Sequence, residues 1–172
     1  DLFFLSNGHI SPAFYSVLAR AGYFPIDELN TFRLIDSRLQ GHPTTHEGLP
    51  GVRIASGSRG QGRSVALGAA QAKKLNTDHH IVYSLDGDGE LQEGLNWETI
   101  MYVSAKKVDN IIATIDLNGE QIDGSTDTVL PMGSIKEKFQ AFGWIVFEIE
   151  EGNNMVAILK GMSEAKSKTG QG

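Results

Sequence analysis

Cysteine is absent from the 172 residues. That excludes a disulfide framework and a thiolate zinc site, and it allows a cytosolic setting. Long hydrophobic runs are missing too: no stretch reaches the ~18–20 apolar residues that a membrane span needs. The N-terminus lacks the basic region and small-residue cleavage site of a signal peptide. Basic residues are outnumbered, with 15 Lys and Arg against 21 Asp and Glu, for a formal charge of −6. With no basic stripe to offset it, that balance argues against a general nucleic-acid binder. Neither a P-loop (G-x-x-x-x-G-K-[ST]) nor a G-x-G-x-x-G dinucleotide fingerprint is present. Gly57-Ser58-Arg59-Gly60-Gln61-Gly62 spaces its glycines differently and follows no convincing strand. The default reading is a cytoplasmic globular protein that binds neither membrane nor nucleic acid.

What is there suits a single domain, residues 1–172, with a sizeable core. Both ends read as cut. The chain opens on an apolar stretch without a start methionine and closes on the loop-like Lys168-Thr169-Gly170-Gln171-Gly172. Apolar spacing predicts helices over residues 11–22, 25–39, 62–75, 95–107, 135–142 and 154–168. Strands are expected at His80–Leu85, at the β-branched run Asn110–Ile115 and at Trp144–Ile149. Residues 41–57, rich in Gly, Pro, Thr and His, read as a long functional loop. The alternation of strand and helix predicts an α/β fold, a doubly wound parallel sheet.

In such sheets ligands bind beyond the carboxyl ends of the strands. That directs attention to the loops after Leu85 and Ile115. Asp88 follows the first strand and Asn118 the second. A carboxylate and an amide oxygen are hard ligands that suit Mg²⁺ or Ca²⁺, and Mg²⁺ takes part of its shell from water and phosphate. Gly87 and Gly89 would let the backbone approach a diphosphate closely, and N–H groups near Gly89 could donate to it at a helix start. On composition alone, an Asp-Gly pair after a strand is also an ordinary turn, and the two readings stay side by side at this point.

The residues also carry a family resemblance. GDGELQEG (Gly87 to Gly94) followed by Asp116-Leu117-Asn118 resembles the thiamine diphosphate motif, which begins in GDG and ends about thirty residues later in Asn. Four further segments resemble transketolases: Leu5-Ser6-Asn7-Gly8-His9, Gly41-His42-Pro43, Gly57 to Gly62, and Ile122-Asp123-Gly124. Ala141-Phe142-Gly143-Trp144 is similar to the family's lead into its next strand. The GELQEGLNWE and DLNGEQIDGSTD segments are most similar to bacterial two-subunit transketolases, in which the diphosphate domain is one polypeptide and the pyrimidine domain another.

The resemblance implies the thiamine diphosphate-binding fold and the two-carbon ketol transfer of the pentose phosphate pathway. The cofactors would be thiamine diphosphate and Mg²⁺, with Ca²⁺ as a substitute. The partners would be sugar phosphates and a pyrimidine-domain subunit, in a dimer or heterotetramer. It implies metal binding by the side chains of Asp88 and Asn118 and the carbonyl of Glu120. Gly89 would donate its N–H to the diphosphate. His9 would contact the diphosphate or the reacting centre, and His42 the substrate's terminal hydroxyl and carbonyl region. Gly57 would lie near the aminopyrimidine and Ile122 against the thiazolium. Glu93 and Glu98 would lie at the subunit interface, in a carboxylate chain between two cofactors.

Three residues depart from the family pattern. Arg59 and Arg63 stand where aliphatic side chains are usual, and large cations at packed positions are costly unless paired or reaching solvent. Asp86 adds a negative charge directly before the GDG. Arg59 and Arg63 motivate one alternative, a homologous subunit without turnover. A separate alternative is a different thiamine diphosphate enzyme, such as a sugar-phosphate synthase, which the loop carrying His42 should discriminate. A generic Mg²⁺–nucleotide domain is a more distant reading.

Overall fold

The structure is a computed structural model and describes Asp1–Gly170. Gln171 and Gly172, the end of the expected single domain and of its loop-like terminus, lie outside the described residues. Three parallel strands form the central sheet: β1 (Leu2–Leu5), β2 (Val82–Gly87) and β3 (Ile111–Asp116), in the order β1-β2-β3. Leu2 pairs with Val82, Val82 with Ile111 and Gly87 with Asp116, so the three strands end at one edge. A two-residue hairpin, β4 (Glu120–Gln121) with β5 (Gly124–Ser125), follows β3.

Alternation along the strands decides which helix covers which face. Phe4 and Val82 pack with Ala66, Ala70, Val103 and Val108. These belong to α2 (Gln61–Leu75), to α3 (Gly94–Ala105) and to the turn after it. Leu5 and Leu85 point the other way and join Phe14, Tyr15 and Leu18 of α1 (Ser11–Arg20). On this second face Thr114 meets Met162 of α6 (Met155–Lys168). Helices therefore cover both faces, as the doubly wound expectation requires. Two short helices, α4 (Thr126–Val129) and α5 (Ile135–Ala141), lie between β5 and α6.

Local chemistry accounts for the helix boundaries. Asn154 caps α6 by accepting from the N–H groups of Val156 and Ala157, and Ser134 caps α5 by accepting from Glu137 N. These are favourable N-cap arrangements. Small residues of α2 let it lie close on the sheet, with Ala66 and Ala70 fully buried.

Two expected elements differ. Residues 25–39 do not form an α-helix. Ile26–Thr31 is a 3₁₀ turn, and Arg33 and Asp36 then adopt left-handed conformations (φ 60° and 63°) that no helix continues through. The apolar spacing there is not a buried stripe, since Ile26 and Ile35 are exposed while Leu29 and Phe32 pack on the α1 cluster. The run Trp144–Ile149 joins no sheet. It packs through side chains instead: Trp144 donates to Ile100 O at 3.0 Å, and Ile149 lies so close to Gly161 that a Cβ there would be 2.6 Å away. The third strand is the opening apolar run, Leu2–Leu5. Among the described residues no helix is long and apolar enough to cross a membrane.

Candidate cofactor site at the strand ends

All three strands release their loops at the same edge, and these loops interlock. Asp88, directly after β2, is buried, and its carboxylate bridges two loops. Oδ1 accepts from Gly89 N at 2.8 Å and Oδ2 from Gly119 N at 2.7 Å. Asp88 N in turn donates to Asp116 O at 3.1 Å. Asp88 therefore meets the loop that carries Asn118 through the backbone of Gly119. Asn118 is exposed; its Oδ1 accepts from Glu120 N at 3.0 Å and its Nδ2 donates to Asp116 Oδ2 at 3.3 Å. Glu120 opens the β4–β5 hairpin, and Ile122, at the tip of that hairpin, is 90% exposed.

Gly87 is the last residue of β2. Gly89 begins a 3₁₀ turn, and its N–H is here donated to Asp88. A Cβ at Gly89 would meet Gln121 Cβ at 2.9 Å, so a bare backbone is what lets the β2 and β3 loops approach. Gly57 has φ 120° and lies under the His42 ring, where a Cβ would be 2.6 Å from Cδ2. One residue earlier, the Ser56 backbone abuts Gly8, the neighbour of His9. The His9 turn, the 56–57 segment and His42 are thus contiguous, with both histidines exposed. Glu93 stands at the start of α3 with its Cβ against Gly60, and Glu98 lies exposed further along the same helix.

The three departures resolve differently. Arg59 is exposed, so it carries no burial cost. Arg63 and Asp86 have fully buried side chains and face each other, with Nη2 3.1 Å from Oδ2. Each offsets the charge of the other.

One residue went unnoticed in the sequence. Glu90 is buried, and it accepts hydrogen bonds from Ser6 Oγ, from Gly60 N at 2.8 Å and from Gly87 N at 3.4 Å. Nothing in the spacing distinguishes it from Glu93 and Glu98, which are exposed.

The donor set fits a divalent cation with a diphosphate. Among the described residues no group of three His, Cys, Asp or Glu could hold a metal ion. A cation here would need amide, carbonyl, water and phosphate oxygens beside the one carboxylate, as Mg²⁺ commonly has. Three buried polar atoms on the surrounding loops, Asn7 Oδ1, Ser56 Oγ and Gln121 Oε1, have no hydrogen-bond partner. Buried polar atoms are rarely left so. The two amide oxygens only accept, so a donor group, a water or a cation would satisfy them, while the Ser56 hydroxyl could donate to an anionic ligand.

Comparison with known proteins agrees with this geometry. The family model described as transketolase, thiamine diphosphate binding domain, matches residues 1–172. A 6-deoxy-6-sulfo-D-fructose transketolase subunit, SqwG, of Clostridium sp. is 37% identical over 99% of the chain. One subunit of the apulose-4-phosphate transketolase of Actinobacillus succinogenes is 40% identical over 92%. The chain spans 62% and 57% of the length of these relatives. The transketolase of Campylobacter jejuni superposes with a TM-score of 0.90 at 34% identity, over 98% of this chain and 27% of that one. A Pichia stipitis transketolase in complex with sedoheptulose 7-phosphate superposes with a TM-score of 0.91 at 30% identity, over 98% and 26%. The fold, the strand-end loops and the match along the whole sequence lead to one assignment: this chain belongs to the transketolase family, as its N-terminal, thiamine diphosphate-binding domain.

Proposed function

We propose that the chain binds the diphosphate of thiamine diphosphate through Mg²⁺ and takes part in transfer of a two-carbon ketol unit from a ketose phosphate to an aldose phosphate. The observation that carries this reading is the Asp88 carboxylate, which joins the loop after β2 to the loop bearing Asn118 and Glu120. Asp88 and Asn118 would ligate the metal by side-chain oxygens and Glu120 by its carbonyl; Ca²⁺ suits the same hard donors. Gly87 and Gly89 would give the diphosphate close access to the backbone.

The bound cofactor supplies the carbon nucleophile and electron sink for the two-carbon unit. The chain supplies position and proton-handling groups. His9 and His42, on neighbouring exposed turns, would donate to and accept from the hydroxyl and carbonyl groups of the sugar. Gly57, by leaving room for the His42 ring, sets where that imidazole lies. Ile122 would cover the thiazolium, for which its exposed place on the hairpin leaves it free.

The exposed strand-end loops, with Glu93 and Glu98 beside them, would be completed by a pyrimidine-domain partner in a dimer or heterotetramer. The cysteine-free composition suits a cytoplasmic enzyme. The two subunit relatives are named for different sugars, so the degree of identity assigns no donor. The pairing of Arg63 with Asp86 removes one motive for an inactive subunit.

Calorimetric titration of thiamine diphosphate into the full chain with its partner, with and without Mg²⁺ and beside Asn118→Ala, tests the reading. Binding that requires Mg²⁺ and weakens strongly in the variant is expected, followed by ketol transfer in an assay. Absence of binding by a well-folded complex would overturn the reading.

A further inference from the structure

The segment Asp86-Gly87-Asp88-Gly89-Glu90 holds three buried carboxylates in five residues. Burial of a carboxylate is costly without compensating partners, and each of the three has different ones. Asp86 has Arg63 and the Ser84 hydroxyl. Asp88 turns toward the loop after β3. Glu90 turns away from that loop and toward β1 and α2.

The partners of Glu90 come from three separate pieces of backbone. Ser6 follows β1, Gly60 is the N-cap of α2, and Gly87 ends β2. Oε1 accepts from Ser6 Oγ and Gly60 N, and Oε2 from Gly87 N. A negative side chain at the start of a 15-residue helix is also favourably placed toward the helix dipole. The residue is held from behind: Asn96, fully buried on α3, donates to Glu90 O at 2.6 Å. The three pieces that Glu90 ties lead into the His9 turn, out of the Gly57 segment and into Asp88.

We propose that Glu90 is a positioning residue of the cofactor site, a buried clasp that fixes the loops after β1, before α2 and after β2 in one arrangement before the ligand arrives. It touches neither metal nor substrate. Its effect is preorganisation: loops already ordered lose less conformational freedom on binding, which raises affinity without adding a contact. The proposal rests on the diphosphate-site reading above, and its test separates the two.

The test uses the full chain with its pyrimidine-domain partner, as wild type, E90Q and E90A. Cofactor affinity at saturating Mg²⁺, kcat at saturating cofactor, and amide hydrogen exchange without cofactor are measured. E90A is expected to weaken cofactor binding about tenfold or more. E90Q is expected to weaken it less, because a retained oxygen can still serve Ser6 and Gly60 while the new NH₂ faces Gly87 N–H. In both variants kcat at saturating cofactor is expected to fall much less than cofactor affinity, because the bound cofactor re-orders the loops that carry His9 and His42. Protection should fall at residues 6–8, 57–62 and 87–89 and persist in the three strands.

Unchanged cofactor affinity in both variants, or unchanged exchange in the three loops, overturns the proposal. If E90A fails to fold, E90Q decides. If the wild-type complex binds no cofactor, the functional reading falls and the affinity role falls with it; the exchange comparison then judges whether Glu90 couples the loops.

Discussion

Arg63 and Asp86, 23 positions apart in the chain, form an ion pair with both side chains at 0% exposure. Asp86 Oδ2 also accepts from Ser84 Oγ at 3.0 Å, and the Arg63 guanidinium lies 5.5 Å from the centre of the Phe139 ring. The pair ties α2, β2 and α5 together behind the cofactor edge.

Breaking a buried pair leaves an uncompensated charge, at a cost of about 3–5 kcal/mol, whereas replacing both partners by apolar residues is often near neutral. Arg63→Leu and Asp86→Leu are therefore each expected to destabilise strongly, and the double variant to recover most of the loss. Urea unfolding of the four proteins measures the coupling. Additive single effects would show that the two residues do not act as a pair.

Asp88 satisfies both carboxylate oxygens with N–H donors of its own chain. Removing divalent cations with a chelator should accordingly leave the circular dichroism spectrum unchanged. Asp88→Ala should lower stability by about 2 kcal/mol even in chelator, through the two donors left behind. A wild type that unfolds in chelator would mean that the metal, rather than the N–H groups, holds the loops.

At Gly57, φ 120° and the His42 ring both exclude a side chain. Gly57→Ala should cost about 1–3 kcal/mol through backbone strain and displacement of the ring. The His42 C–H resonances report the displacement directly. If they stay in place and stability is unchanged, the close approach does not exist in solution.

Tyr15 is buried, and its hydroxyl donates to Gln40 O at 3.0 Å. Burial, with a smaller effect from the Glu47 carboxylate, pushes its pKa up from 10.0 to about 12. The folded state thus favours the neutral phenol. The stability it contributes is fully present below pH 10 and is lost as pH rises from there through about 12. Ultraviolet titration should show a tyrosine phase near pH 12, and Tyr15→Phe should remove that phase and flatten the fall in stability over the same range. A late phase that survives Tyr15→Phe would assign it to another tyrosine.

The loops of the candidate site could be read from the chain because their signals are local. GDG before a turn and Asn118 after a β-branched run both follow strands, and parallel strands deliver their loops to one edge. α2, α3 and α6 were legible for the same reason, since apolar spacing acts within a few residues. The same rules failed over residues 25–39, where the apolar spacing does not form one buried stripe and left-handed Arg33 and Asp36 break the run after a 3₁₀ turn. At Trp144–Ile149 the expected strand is missing, because entry into a sheet depends on a neighbour in register, and Trp144 and Val146 pack through their side chains alone.

By itself, then, the sequence determined the family, the wound α/β architecture and the loops that bear the candidate ligands. Each of these follows from short-range patterns of glycine, polar and apolar residues. Only the tertiary structure decided which charges are partners and which carboxylate is buried. Arg63 looked out of place until Asp86 stood 3.1 Å from it. Glu90, Glu93 and Glu98 looked alike until one of them met Ser6, Gly60 and Gly87 while the others faced outward. The reason is physical: desolvation and hydrogen bonding depend on what surrounds a group in space, and those neighbours come from distant parts of the chain.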